Sequence, residues 1–450
     1  MKRPKSEYGV PGTVKGLDYA LTTYGTRNRQ QVMAPAITLA EQGFTLQAAD
    51  VALLKGFTKT FKAQPNVASI FLKNGQPYQS GDRFVQSNLA RSLHLIADQG
   101  ADAFYQGAIA DELATASQQG RGILTQADLA KYKVRDTVPL QCRYHNYQIL
   151  TAPPPGGGAT LCEMLNILEG YPPSNDLSQT LHRRLSAMLF AYADRNTKLG
   201  DPAFVQNPLD QLLSKSYAAT IRQKIPTDHA LDPNQVYRTP DTTKGNHTTH
   251  YTIVDRQGNI VSVTYTLNRL FGAGVIAGQT GFFLNNEMDD FTVKPGVANS
   301  YGLVQGNANA ICASQQRFAI APLKRPLSSM SPTILLKDNQ PVLATGSPGG
   351  STIPTTVLQV ILNREANLPP QQWVDAPRMH YQGLPNVVIT EPYALPNLVF
   401  QQLWRMGYRV MPFPNWGAAE LIAIDPTTQT IYGLHDSRKP TGAALAQSEE

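Results

Sequence analysis

Apolar and polar residues recur with two different periods along this chain, and the period changes near its middle. From residue 11 to about residue 225 the pattern is that of amphipathic helices. Arg29–Gly43 gathers its apolar residues on one face and stops on glycine, and similar spacing predicts helices over Phe84–Asp98, Asp102–Ala116 and Leu177–Lys198. One strand signal interrupts them, Tyr147–Leu150, which runs into the rigid Pro/Gly turn Pro153–Gly158. The stretch Pro226–Asn246 is polar, marked by prolines and without apolar periodicity, so it reads as an exposed tail or linker. Beyond it Thr248–Val254 and Ile260–Leu267 alternate with strand period and are joined by Asp255–Asn259, which predicts a hairpin. Helices are expected near Ser351 and Leu395, and strands around Val387–Ile389 and Leu421–Ile424.

Composition narrows the class without naming it. A chain of 450 residues, 42% hydrophobic and 16% charged, has the make-up of an ordinary globular protein with one large domain or a few smaller ones. The net charge of +6 is dispersed, with one dense group at Lys2-Arg3-Pro4-Lys5, and no nucleic-acid motif accompanies it. The longest apolar runs, such as Val357–Leu362, are far too short for a membrane span. Met1-Lys2-Arg3 starts with charge, but no apolar stretch follows, so the chain as given carries no signal peptide. Cys142, Cys162 and Cys312 are an odd number without CxxC spacing, which excludes a disulfide scaffold and argues against a zinc site. A Cys142–Cys162 bridge requires an oxidising compartment; buried free thiols are the expectation.

The candidate chemistry follows the change of period. A polar stretch giving way to a strand that opens on Thr248-Thr249-His250 is where self-cleavage would be placed. A threonine hydroxyl is a poor nucleophile without a base, and one solution uses the threonine's own α-amino group once it has become an N-terminus. Its pKa of about 7.7–8.0 leaves a neutral fraction near pH 7 to accept the hydroxyl proton. This places the cut between His247 and Thr248. Threonine pairs also open ordinary strands, so the other pieces matter. Gly349 and Gly350, between a proline and a helix start, can aim successive N–H groups at an oxyanion, each worth roughly 3–4 kcal/mol in acyl transfer, or they form a simple glycine turn. Asn285–Asp290 offers several acceptors for a ligand ammonium group; calcium is the rival, but the spacing is not that of an EF-hand. Ser328 and Ser329 can donate to a carboxylate or serve as turn and cap residues. Tyr192–Asn196 contains Asp194 and Arg195, whose charges most simply form a structural ion pair. Pro153–Gly158 lacks the Gly-Lys-Ser/Thr ending of a phosphate loop.

Five ordered segments of the second half, Thr248–Tyr251, Tyr265–Asn268, Asn285–Phe291, Pro326–Pro332 and Gly346–Ser351, resemble the γ-glutamyltransferases (γ-glutamyl transpeptidases). The resemblance extends upstream through Leu199–Pro202, Tyr192–Arg195, Ala152–Pro155 and Ala130–Tyr132 to Gly9–Thr13, and so covers nearly the whole chain. It implies an α+β proenzyme of the N-terminal-nucleophile hydrolase fold, a four-layer αββα sandwich that cuts itself into two subunits. Here these would be residues 1–247, a mostly helical large-subunit portion, and residues 248–450, the small subunit, held together as a heterodimer. By resemblance Thr248 is the nucleophile, and Thr266 supports it and assists maturation. Asn268, Glu287 and Asp290 hold the substrate α-amino group, Ser328 and Ser329 contact its α-carboxylate, and Gly349 and Gly350 form the oxyanion hole. Pro295–Tyr301 looks like a lid, with Tyr301 as the gate against Asn268. The implied substrates are glutathione and other γ-glutamyl compounds, with water, amino acids or dipeptides as acceptors. Neither a metal nor a cofactor is called for.

The departures set the alternatives. Relatives of this kind begin with a signal sequence and well over a hundred residues that this chain does not match, including an arginine that pairs with the α-carboxylate; the large-subunit portion is therefore expected to be incomplete at its N-terminus. Ile311–Pro322, which holds Cys312, is longer than expected and reads as a surface loop. One alternative is a catalytically inert fragment; another is a related acylase with a different acyl group. Location in the periplasm or outside the cell follows from resemblance alone.

Overall fold

The computed structural model describes residues 8–236, 248–292, 297–303, 305 and 321–447. The chain divides into two compact units, one of Met1–Asp136 with Leu267–Met288, the other of Thr137–Thr266 with Asp289–Glu450. Each unit therefore draws on chain from both sides of the expected cut before Thr248.

The first unit is helical. Arg29–Gln42 forms as expected, opened by a capping box on Asn28 and closed at Gly43, whose φ of 74° suits glycine. The expected helix over Phe84–Asp98 begins later, at Ser87, and runs to Gln99. Asp102–Ala116 is not one helix: Asp102–Tyr105 stops at Gln106-Gly107 and Ala108–Gln119 restarts beyond. Segment 267–288 joins this unit because its apolar residues complete the helical cores. Ile276 packs with Phe61 and Phe71, while Ala277 and Leu284 pack with Phe104 and Ile109. Its backbone is held by side chains, Asn66 Nδ2 donating to the Ile276 carbonyl (2.6 Å) and Ser92 Oγ to that of Thr280 (2.8 Å).

The second unit is built on a six-stranded antiparallel sheet in the order Ile431–Leu434, Glu420–Ile424, Gln340–Gly346, Thr333–Lys337, Tyr147–Thr151, Leu140–Tyr144. The expected hairpin forms from Thr249–Val254 and Ile260–Tyr265 and packs against the Gln340–Gly346 strand, Ser262 Oγ donating to the Thr345 carbonyl (3.3 Å). Helices Gly158–Glu169 and Ile353–Glu365 pack on each other and on the sheet, and Leu177–Lys198 packs on the first of them. Two β layers and a helical layer are thus present in this unit, and the fold is α+β. Leu177–Lys198 starts at Asp176, whose carboxylate accepts from the N–H groups of Ser178 and Gln179.

Two expectations are corrected here. Cys142 and Cys162 are not free thiols but form a disulfide, because the antiparallel pair Leu140–Tyr144/Tyr147–Thr151 lies against the Gly158–Glu169 helix and brings their Cα atoms to 6.1 Å. The stretch after Pro226 is not an exposed tail as far as residue 236. Ala230 N donates to the Met406 carbonyl (2.6 Å), Pro233 is buried, and Pro233–Val236 is a helical turn. Residues 237–247, with the expected cleavage point at His247, lie outside the described residues.

Candidate active site

Thr248 and Thr266 meet because of the hairpin's register. Thr249 pairs with Tyr265 and His250 with Thr264, so one further step of the same register sets Thr248 opposite Thr266. The Thr248 hydroxyl donates to Thr266 Oγ1 at 3.3 Å. Both residues line one pocket in the second unit, together with Asp290, Tyr301, Ser328, Ser329, Gly350 and Arg195. Six of the side chains or glycines singled out in the sequence for this unit are therefore gathered with Thr248 in one space.

The glycine pair sits where the Gln340–Gly346 strand turns toward the Ile353–Glu365 helix. Gly349 has φ 144° and Gly350 φ 56°, values that L side chains rarely adopt. The turn is fixed by Thr352, whose N–H and hydroxyl both donate to the Gly349 carbonyl (3.1 and 2.9 Å). With that carbonyl engaged, the peptide between the two glycines is held in one orientation. Behind the turn, Ala418 N donates to Ser347 Oγ (3.2 Å).

His250 packs where a side chain on Gly346 would have to be, since a Cβ there would lie 2.3 Å from the imidazole Cε1. Its ring is hydrogen-bonded to Thr264 Oγ1 (2.8 Å) and Thr252 Oγ1 (3.0 Å), and burial pushes its pKa down to about 4. His380, fully buried beside Thr355 (2.9 Å), is likewise pushed down to about 4 by burial. Above pH 6.5 neither the folded nor the unfolded chain protonates these rings, and the full stability is present. As the pH falls from about 6.5 toward 4, the unfolded chain binds protons that the folded one refuses. Thermal melting is expected to show a stability loss of order 5 kcal/mol from the two together across that window. A His250→Gln variant should flatten the pH dependence measurably; an unchanged slope would refute the assignment.

The segment Arg325–Met330, carrying the two serines, is held from three directions. Asp201, fully buried, accepts the Arg325 N–H (2.8 Å). From the Pro153–Gly158 turn, which contains a cis peptide between Pro154 and Pro155, the Pro155 carbonyl accepts the Ser328 N–H (2.7 Å). Gly157 N donates to the Met330 carbonyl (2.9 Å), and a Cβ on Gly157 would lie 2.5 Å from both the Ser329 carbonyl oxygen and Ser331 Oγ. The third hold is Arg195, whose Nη2 donates to Ser329 Oγ (3.0 Å) and the Leu327 carbonyl (3.2 Å). This corrects the expectation of an Asp194–Arg195 pair. Successive helical residues point about 100° apart, so Asp194 instead takes Lys198 Nζ (2.7 Å) and the Tyr217 hydroxyl (2.6 Å).

Asn268 and Glu287 belong to the first unit and are described there. Asn268 has φ 72°, is buried, and donates from Nδ2 to the Asn286 carbonyl (2.9 Å). Glu287 opens the short turn Glu287–Asp290, its N–H donating to Asn285 Oδ1 (3.0 Å). Asn285 spends its amide on the backbone of Gly9, accepting from its N–H (3.0 Å) and donating to its carbonyl (2.9 Å), so it is a clasp for the Gly9–Thr13 motif. Among the described residues no group of three or more His, Cys, Asp or Glu is placed to hold a metal. Of the expected lid, 295 and 296 lie outside the described residues; Tyr301 N donates to Asn299 Oδ1 (2.9 Å), and the Tyr301 side chain lines the cavity. Cys312 and nearly all of Ile311–Pro322 are likewise outside them.

Comparison with known proteins matches the gamma-glutamyltranspeptidase family model over residues 2–446. The chain is 47% identical to the glutathione hydrolase proenzyme of Pseudomonas sp. strain A14, covering 97% of this chain and 77% of that protein. It is 41% identical to the glutathione hydrolase proenzyme of Escherichia coli strain K12, covering 96% and 73% respectively. Among solved structures it is similar to the cephalosporin acylase of Bacillus halodurans, with a TM-score of 0.84 and 27% identity over 99% of this chain and 80% of that one.

Proposed function

The chain belongs to the gamma-glutamyltranspeptidase family, and from that premise we propose that it is a self-cleaving glutathione hydrolase and γ-glutamyltransferase with Thr248 as nucleophile. The observation that carries the assignment of Thr248 is its hydroxyl, hydrogen-bonded to Thr266 in the same cavity as Gly350 and the two serines. In maturation Thr248 Oγ1 attacks the carbonyl carbon of His247, the C–N bond breaks, and the freed nitrogen takes the proton. Water then hydrolyses the ester, leaving a carboxylate on His247 and an α-amine on Thr248. In turnover that amine accepts the Oγ1 proton as the hydroxyl attacks the γ-amide carbon of the donor. The Gly349 and Gly350 N–H groups stabilise the oxyanion, and the departing amine of the donor leaves protonated. Water or an acceptor amine then takes the glutamyl group from Thr248. Asp290 holds the donor's ammonium group, and Ser328 and Ser329 its α-carboxylate.

The two chains so produced, 1–247 and 248–450, stay together as a heterodimer. Supporting this, the six-stranded sheet combines strands Leu140–Tyr144 and Tyr147–Thr151 with four strands from beyond Thr248. No helix among the described residues is long and apolar enough to cross a membrane. Action in the periplasm or outside the cell is supported by the Cys142–Cys162 disulfide, a bond that persists in oxidising compartments.

Release of p-nitroaniline from γ-glutamyl-p-nitroanilide tests the reading, with glycylglycine expected to accelerate it by drawing the acyl group to an amine. A second reading, an acylase for another dicarboxylic acyl group, is favoured by the similarity to cephalosporin acylase. Glutaryl-p-nitroanilide separates the two, because it lacks only the amino group; faster cleavage of it than of the glutamyl donor would overturn the γ-glutamyl assignment. Gly157→Ala, by pushing on the Ser329 carbonyl, is expected to raise KM for the glutamyl donor by about 10-fold and to destabilise by roughly 1–3 kcal/mol. Steady-state kinetics that leave KM unchanged would show that the turn does not set the serines.

A further inference from the structure

Arg195 is 1% exposed, yet it lines the same cavity as Thr248, Asp290, Ser328 and Ser329. It reaches there from the last turns of Leu177–Lys198, while its neighbour Asp194 turns away to Lys198 and Tyr217. Its guanidinium donates to Ser329 Oγ (3.0 Å), the Leu327 carbonyl (3.2 Å) and Asn196 Oδ1 (2.9 Å). A guanidinium can only donate. Ser329 Oγ therefore accepts from Arg195, and its own proton must point elsewhere. Ser328 Oγ is in the same position, accepting the Met330 N–H at 3.1 Å. Each hydroxyl thus spends one lone pair on a protein donor and turns its own O–H away from that donor, so an acceptor that binds there can meet two donors. The charge adds to the orientation. A donor polarised by a cation gives a stronger hydrogen bond, and a permanent positive charge close behind it favours an anion over a neutral group. The cavity also carries the carboxylate of Asp290, so it presents both signs, as an α-amino acid requires.

Resting on the γ-glutamyl reading above, we infer that Arg195 is the positioning residue that makes the site selective for a donor with a free α-carboxylate, acting through Ser329. It sets the direction of the Ser329 hydroxyl, fixes Leu327 at the other end of the segment, and supplies the positive potential behind both serines.

The test compares two donors, γ-glutamyl-p-nitroanilide and the same compound with its α-carboxylate converted to a primary carboxamide, on the self-processed protein. The wild type should prefer the carboxylate donor. In Arg195→Gln that preference, as a ratio of kcat/KM values, should fall by about 10- to 100-fold, carried by a higher KM for the acid donor. Arg195→Lys, which keeps the charge but not the fork, should recover part of it. Should Arg195→Gln fail to fold or to process, Arg195→Lys carries the comparison and must lose part of the preference, and Ser329→Ala, which removes the group through which Arg195 acts, must also lose it. Equal losses toward both donors in Arg195→Gln, or an intact preference in Ser329→Ala, overturn the role of Arg195. A wild type indifferent to the carboxylate would instead overturn the γ-glutamyl reading on which it rests.

Discussion

Replacing Thr248 by alanine is expected to leave the protein as one band on a denaturing gel and to lower turnover of γ-glutamyl-p-nitroanilide by roughly 10⁴-fold or more. Two losses coincide in that variant. Without Oγ1 no ester forms at the His247 carbonyl, so the N-terminal amine that serves as base is never released. Without Oγ1 there is also no acceptor for the glutamyl group. Thr248→Ser keeps the hydroxyl but loses the methyl that restricts its rotamer. It should process and turn over, more slowly than the wild type. Thr266→Val removes the hydroxyl that Thr248 meets at 3.3 Å while conserving shape, so slower processing with an intact fold is expected. Gel bands followed over time, with the release assay on the same samples, distinguish these cases. Processing of Thr248→Ala at the same position would sink the nucleophile assignment.

The meeting of Thr248 with Thr266 was legible because it rests on local rules. Alternation in Thr248–Val254 and Ile260–Leu267 predicted the hairpin, and the register of a hairpin settles which residues face each other. Leu177–Lys198 was legible for a similar reason, with Asp176 capping it and apolar residues at helical spacing. What escaped depends on contacts distant in sequence. The segment 267–288 reads as part of the second half but joins the helical unit, since the cavities that its Ile276, Ala277 and Leu284 fill are made by Phe61, Phe104 and Ile109. Period alone does not report what a buried face packs against. The Cys142–Cys162 pair needed the packing of a strand pair against a helix, which spacing in sequence does not supply. Arg195 was misread because adjacent opposite charges suggest a pair. Helical geometry sends them to different faces, and the signal that could have shown this was Lys198, four residues beyond Asp194.

Asp436→Ala is expected to cost about 3–5 kcal/mol and to lower the melting temperature by about 5–10 °C. Arg378 and Asp436 are 2% and 0% exposed in their side chains and form a buried ion pair. Asp436 also accepts from Arg438 Nη1 (3.0 Å) and the Ala419 N–H (2.8 Å), while Arg438 Nε donates to Glu391 (2.5 Å). Burial alone would raise the Asp436 carboxyl, but the two guanidiniums hold it below its ordinary range. The cluster balances two arginines against two acids, so removing Asp436 leaves a net positive charge where water cannot screen it. Removing a pair together should cost less: Arg378→Met with Asp436→Leu leaves Arg438 and Glu391 matched, and its loss should fall clearly below the sum of the single variants. The damage should also reach the active site. Arg378 Nη1 donates to the Trp416 carbonyl (2.8 Å), and the next residue, Gly417, backs onto Ser347 and Pro348 ahead of Gly349 and Gly350, the proposed oxyanion hole. In the protein that survives, kcat should therefore fall more than KM rises, since a loosened turn weakens binding of the developing oxyanion more than binding of the donor. A melting temperature unchanged within a degree would show that the cluster is solvated and carries little of the fold.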